Sequence, residues 1–124
     1  MLSATMAQVV LVGRDWQTRA LLRAQLIEEG LEVEAVETVR EALPTLQEPA
    51  LRPSLLIADL YSSEDPSTEI EQLAAWAAQI PIWIIAGRNL LAEPPLKGRG
   101  FELILVRPID MGELVEQIKR RIEP

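Results

Sequence analysis

Short apolar runs rich in valine and isoleucine alternate along the chain with segments whose apolar positions recur at helical spacing. "QVVLV", Gln8 to Val12, ends at Gly13 and reads as a buried strand. "DWQTRALLRAQLIEEG" then predicts a helix, with Asp15 as its cap, Leu22 and Leu26 one turn apart and Gly30 as its stop. "LEVEAV" alternates, with Leu31, Val33 and Ala35 on one face and Glu32 and Glu34 on the other. That pattern suits an edge strand, where exposed acids discourage edge-to-edge pairing. Thr38 and Glu41 have capping-box spacing and open a helix through Leu46, with Pro44 expected to bend its second turn. "SLLIAD" is apolar until Asp59, the mark of a central parallel strand covered on both faces. Asp65 and Pro66 form an N-cap and N1 pair for a helix carrying Ile70, Leu73 and Ala77 inward. "IPIWIIAG" and "FELILV" read as the fourth and fifth strands. "DMGELVEQIKRRI" closes the pattern as a helix: Asp110 and Glu113 at capping-box spacing, Leu114, Ile118 and Ile122 as the stripe, and Lys119 to Arg121 opposing the C-terminal dipole.

Strands alternating with helices imply an α/β domain, its parallel sheet joined by right-handed crossovers with helices on both faces. One connection breaks the rhythm. "RNLLAEPPLKGRG", between strands four and five, contains Pro94, Pro95, Gly98 and Gly100 and has room for about one helical turn. A helix shortened or missing there leaves Leu90, Leu91 and Leu96 in a loop, either folded over the sheet edge or forming a partner-binding patch. With no repeat, low-complexity tract or linker, a single domain is expected across residues 1–124, residues 1–7 being a flexible N-terminus.

Composition narrows the chemistry. The 124 residues include no cysteine and no histidine, which excludes disulfides, thiolate metal sites, the commonest general base and the usual zinc ligand. A formal net charge of −7 argues against a nucleic-acid footprint. "MLSATMAQ" has neither the basic segment nor the apolar core of a signal peptide, and no apolar run approaches the roughly 20 residues of a membrane helix, so a cytoplasmic protein is expected.

A carboxylate delivered by a buried strand at its C-terminal end, as Asp59 is, either caps the following loop or reacts. Arg14, Arg88, Lys97, Arg99 and Arg107 also follow strand ends, the edge where open α/β sheets bind ligands. Arg14, Arg88 and Arg107 are therefore candidates for an anion or nucleotide site, although no glycine-rich phosphate loop follows strand one. Among the tryptophans, Trp83 is expected in the core, and Trp16, just after strand one, is placed to cover the strand-end site.

The ordered set "VVLVGRD", Arg19, "GLEVEAVETVREAL", "SLLIADL", "IPIWIIAG" and "LVRP" resembles the receiver domain of bacterial response regulators from Val9 to Ile122. The resemblance implies a flavodoxin-like, three-layer fold with a five-stranded parallel sheet in order 2-1-3-4-5. In that family two acids after strand one and the phosphoacceptor aspartate after strand three hold Mg²⁺. A threonine or serine after strand four and a lysine after strand five contact the phosphoryl group, and an aromatic residue on strand five follows the hydroxyl between rotamers.

Here Asp59 takes the phosphoacceptor position, but Gly13 and Arg14 replace the acid pair, with Asp15 one place later. Ala86 stands for the hydroxyl, Ile104 for the aromatic, and Arg107 before Pro108 for the lysine. A single carboxylate beside a guanidinium should bind Mg²⁺ poorly, and Asp15 is expected to point elsewhere. Arg107, Arg14 or both are expected to pair with Asp59, because a buried acid without a cation is costly to keep ionised. The resemblance then implies a stand-alone pseudo-receiver with no catalytic residue and no cofactor. It would act in signal transduction by phosphorylation-independent contact with a protein such as a histidine kinase or a regulated protein, or as a homodimer. An unorthodox phosphoacceptor in a phosphorelay and a small-anion sensor are the alternatives.

Overall fold

A computed structural model describes residues 7–88 and 96–123. In chain order the elements are β1 (Val9–Gly13), α1 (Trp16–Glu28), β2 (Val33–Val36), α2 (Val39–Gln47), a 3₁₀ turn (Pro49–Leu51), β3 (Leu55–Asp59), α3 (Pro66–Ala74), β4 (Ile82–Ala86), β5 (Leu103–Val106) and α4 (Met111–Ile122). The five strands form one parallel sheet in order β2-β1-β3-β4-β5, which is the arrangement the resemblance implied.

Because successive side chains of a strand point to opposite faces, the apolar runs of β1, β3 and β4 feed two separate core layers. Val10, Val12, Leu56, Ala58, Ile82 and Ile84 pack against Ala42 and Leu46 of α2 and Ile70 and Leu73 of α3. Val9, Leu11, Leu55, Ile57, Trp83 and Ile85 pack against Leu22 and Leu26 of α1 and Leu114 and Ile118 of α4. Trp83 is buried in the second layer, its indole N–H donating to Glu102 Oε2 at 2.8 Å.

The helix boundaries follow their capping chemistry. At Thr38 the hydroxyl accepts from the Glu41 N–H while the Glu41 carboxylate reaches back to the N-cap backbone, completing the capping box. Asp65 caps α3 through the Thr68 N–H, and Asp110 caps α4 through the Glu113 N–H. Gly30, at φ +88°, turns the chain out of α1, a backbone angle disfavoured for other residues. Ala77 lies beyond the end of α3, which stops at Ala74, yet still packs on the first core layer.

Among the described residues the β4–β5 connection holds no α-helix, and Leu96 is buried in the first layer, folded onto the sheet. Leu90 and Leu91 lie outside the described residues, as do residues 1–6 of the expected flexible N-terminus. No helix among the described residues is long and apolar enough to cross a membrane.

Candidate functional site

Parallel strands end together at one edge of the sheet, and register decides which residues meet there. Gly13 pairs with Asp59 across β1 and β3, Asp59 with Ile85 across β3 and β4, and Ala86 with Val106 across β4 and β5. The Arg107 N–H continues the ladder onto the Ala86 carbonyl at 2.9 Å, so the side chain of Arg107 starts beside the strand-end carboxylate. The next peptide, Arg107–Pro108, is cis.

One guanidinium nitrogen organises the site. Arg107 Nη2 donates to Asp59 Oδ2 at 2.5 Å and to Asp15 Oδ2 at 3.1 Å. Asp59 Oδ1 accepts the Tyr61 backbone N–H at 3.1 Å, so both oxygens of the strand-end acid are engaged. Asp15 also accepts from the Thr18 hydroxyl at 2.9 Å. That hydroxyl, then the Arg107 guanidinium, hold the Asp15 carboxyl below the usual carboxylate range, against the opposing effect of partial burial. Arg107 is held charged by the two acids despite its burial. The Tyr61 ring lies over the guanidinium, 4.2 Å from its centroid, a cation–π contact.

Asp15 stands at the N-cap position of α1 but its carboxylate makes no cap there; it turns instead to Thr18 and Arg107. This corrects the expectation that Asp15 caps the helix and points away from Asp59: the two acids share one nitrogen. Arg14 does not pair with Asp59; it meets Glu64 at 3.4 Å. Trp16 is exposed rather than folded over the site, and Tyr61 takes the covering role. Tyr61 and Thr18 were not singled out from the sequence. Their signals were an aromatic two residues after the strand-end acid and a hydroxyl three residues after Asp15.

Three of the strand-end cations are paired with acids. Arg14 is paired with Glu64, Arg99 with Glu71, and Arg107 with the two aspartates, while Arg88 is exposed at the end of β4. Ala86 is fully buried in β4 and offers no hydroxyl, and Ile104 is half-buried against the first core layer.

The acids at this edge, Asp15 and Asp59, differ from the pair-plus-phosphoacceptor set that holds Mg²⁺ in the receiver family. Mg²⁺ requires near-octahedral oxygen ligation and keeps several waters. The described residues here contain no group of three or more metal-ligating side chains. Asp15 and Asp59 already share a guanidinium, and the cavity against Asp59, Gly13, Thr18 and Arg19 is about 20 Å³, room for one water. Gly13 is tight as well: a Cβ there would lie 3.2 Å from the Asp59 Cβ.

No family model and no curated protein matches the sequence. Solved structures do match the fold. The response regulator receiver domain protein (CheY-like) from Methanospirillum hungatei JF-1 is 21% identical over 96% of this chain and 95% of that one, with a TM-score of 0.77. The chemotaxis response regulator CheY4 of Vibrio cholerae is 26% identical over 94% and 99%, with a TM-score of 0.74. A response regulator from Thermotoga maritima is 15% identical over 97% and 100%, with a TM-score of 0.72. The fold is thus that of CheY-like receiver domains, spanning nearly the whole of each.

Proposed function

We infer that the chain is a receiver-like signalling domain that acts through protein contacts, independently of phosphorylation at Asp59. A phosphoacceptor must present a free carboxylate oxygen to the incoming phosphorus, with cationic help arranged around the transferring group. At Asp59 one oxygen is bound to Arg107 and the other to the Tyr61 N–H, and that double engagement carries the reading. The arginine supplies the positive charge that a metal would otherwise bring, so the acid is neutralised without an exchangeable ion. The site therefore holds one conformation and the domain works by binding rather than catalysis. With a cytoplasmic setting, its partner would be a signalling protein such as a kinase or the protein it regulates.

Intact-mass measurement after incubation with a small-molecule phosphodonor and Mg²⁺ tests this. The wild-type chain and Asp59→Asn should both keep their starting mass. Gain of one phosphoryl group by the wild type, abolished in Asp59→Asn, overturns the reading in favour of an unorthodox phosphoacceptor.

A further inference from the structure

Three of the four large apolar side chains exposed among the described residues lie on α1: Trp16 at 64%, Leu21 at 49% and Ile27 at 44%. The same helix buries Leu22 and Leu26 against the sheet, so it is apolar on two opposite faces. A helix residue advances about 100° around the axis, which places Trp16, Ala20, Ala24 and Ile27 together on the side away from the core. Ala20 and Ala24 are exposed as well. Arg23 borders this face on one side and Glu28 on the other, and among the described residues neither forms an ion pair or side-chain hydrogen bond within the chain.

The spacing of these residues is that of a two-heptad coiled-coil seam. With Gln17 and Ala24 at a positions and Ala20 and Ile27 at d, Trp16 and Arg23 fall at g and Leu21 and Glu28 at e. The inward positions b, c and f are Thr18, Arg19, Leu22, Gln25 and Leu26, all buried or half-buried in the chain's own domain. In a parallel pair each g faces the e of the partner helix five residues on. Trp16 then meets Leu21 of the second copy, and Arg23 meets Glu28 of the second copy. Every large exposed apolar side chain of the helix, and both unpaired charges, acquire a complementary neighbour. An antiparallel pair would bring Arg23 against its own copy, a like-charge contact. On one helix, residues five apart do not face each other, so Arg23 and Glu28 cannot satisfy one another within a single chain.

We propose that the outer face of α1 is a self-association surface, on which two copies of this chain pair in parallel about a two-fold axis. The apolar seam supplies attraction and the Arg23–Glu28 pairs choose the orientation, with Ala20 and Ala24 letting the two backbones approach closely. A seam of one short helix buries less than a standard interface, so association is weak, with a dissociation constant on the order of tens of micromolar or above.

Sedimentation velocity of the full chain, from roughly 10 μM to 1 mM, should show a monomer–dimer equilibrium in this range. Arg23→Glu should weaken dimerisation by about tenfold, and adding Glu28→Arg should restore it, because the swapped pair is again complementary. The chain has no native cysteine, so Ala24→Cys is a clean geometric probe. In the parallel pair it faces its own copy, close to disulfide reach, and should cross-link under mild oxidation. All these positions are exposed, and circular dichroism checks that the variants fold. A chain that stays monomeric throughout overturns the proposal and leaves the face to a partner of another kind. So does a dimer indifferent to the charge swap and without an Ala24→Cys cross-link.

Discussion

Replacing Arg107 with methionine tests whether the guanidinium holds the strand-end site together. The substitution keeps an unbranched apolar stem and removes the charge. Asp59 would retain the Tyr61 N–H at 3.1 Å and Asp15 the Thr18 hydroxyl at 2.9 Å, but two acids that shared one nitrogen would lose their common counter-charge. An exposed ion pair is worth about 0–1 kcal/mol. Removing one partner of a buried pair costs about 3–5 kcal/mol, because the other charge is left uncompensated. The side chains of Arg107 and Asp59 are 23% and 10% exposed, nearer the second case, and the surviving hydrogen bonds soften the loss. Arg107→Met should therefore destabilise the domain by about 3 kcal/mol, lowering the melting temperature by roughly 10 °C for a chain of this length. In an Asp59→Asn background the same change should cost about 1 kcal/mol, a coupling of about 2 kcal/mol between the two residues. Urea unfolding followed by far-ultraviolet circular dichroism, with m-values unchanged, gives all four corners of the cycle. A loss below about 1 kcal/mol for Arg107→Met, or strict additivity in the cycle, would refute the argument that Arg107 is the structural cation of Asp59.

Four further outcomes follow from the same contacts. Tyr61→Ala should cost about 0.5–1 kcal/mol by uncovering the guanidinium, and should cost nothing further once Arg107 is methionine; thermal melts of the two backgrounds decide this. Glu69 accepts the Val39 N–H at 2.8 Å and the Ser63 hydroxyl, tying α3 to the start of α2, so Glu69→Ala should lower stability by about 1–2 kcal/mol in urea titrations. Thr38→Ala, which removes the capping box of α2, should cost about 1 kcal/mol by the same assay. The Asp15 carboxyl is depressed in the folded state by Thr18 and Arg107, so it stabilises the fold above its unfolded pKa and that contribution is lost as pH falls through the folded value. The urea midpoint should therefore decline below about pH 4, and Asp15→Asn should decline less steeply.

Periodicity is a local property, and among the described residues it was enough to place β1 to β5, α1 to α4 and the caps at Thr38, Asp65 and Asp110. The alternation of "LEVEAV" and the unbroken apolar run of "SLLIAD" likewise expressed edge and centre, because burial on one face or two is written directly in side-chain polarity. The departures at Gly13, Arg14, Ala86, Ile104 and Arg107 were also legible, since they needed only a position in an ordered set of strands.

What the chain order could not decide was which charges meet. Arg107 reaches Asp59 across 48 residues and Asp15 across 92, and those contacts depend on strand register and on the turn leaving β5. Two arginines were equal candidates for Asp59 in sequence, and geometry sent Arg14 to Glu64 and Arg107 to the acids. Asp15 had the spacing of a helix cap, yet its carboxylate was drawn to Thr18 and Arg107. The outward phase of α1 was settled the same way: Leu22 and Leu26 turn to the sheet, and Trp16, Leu21 and Ile27 are left facing outward. Local pattern sets where an element lies and which face is apolar, but only the packed sheet determines which residues from distant elements share one strand-end edge or are left uncovered.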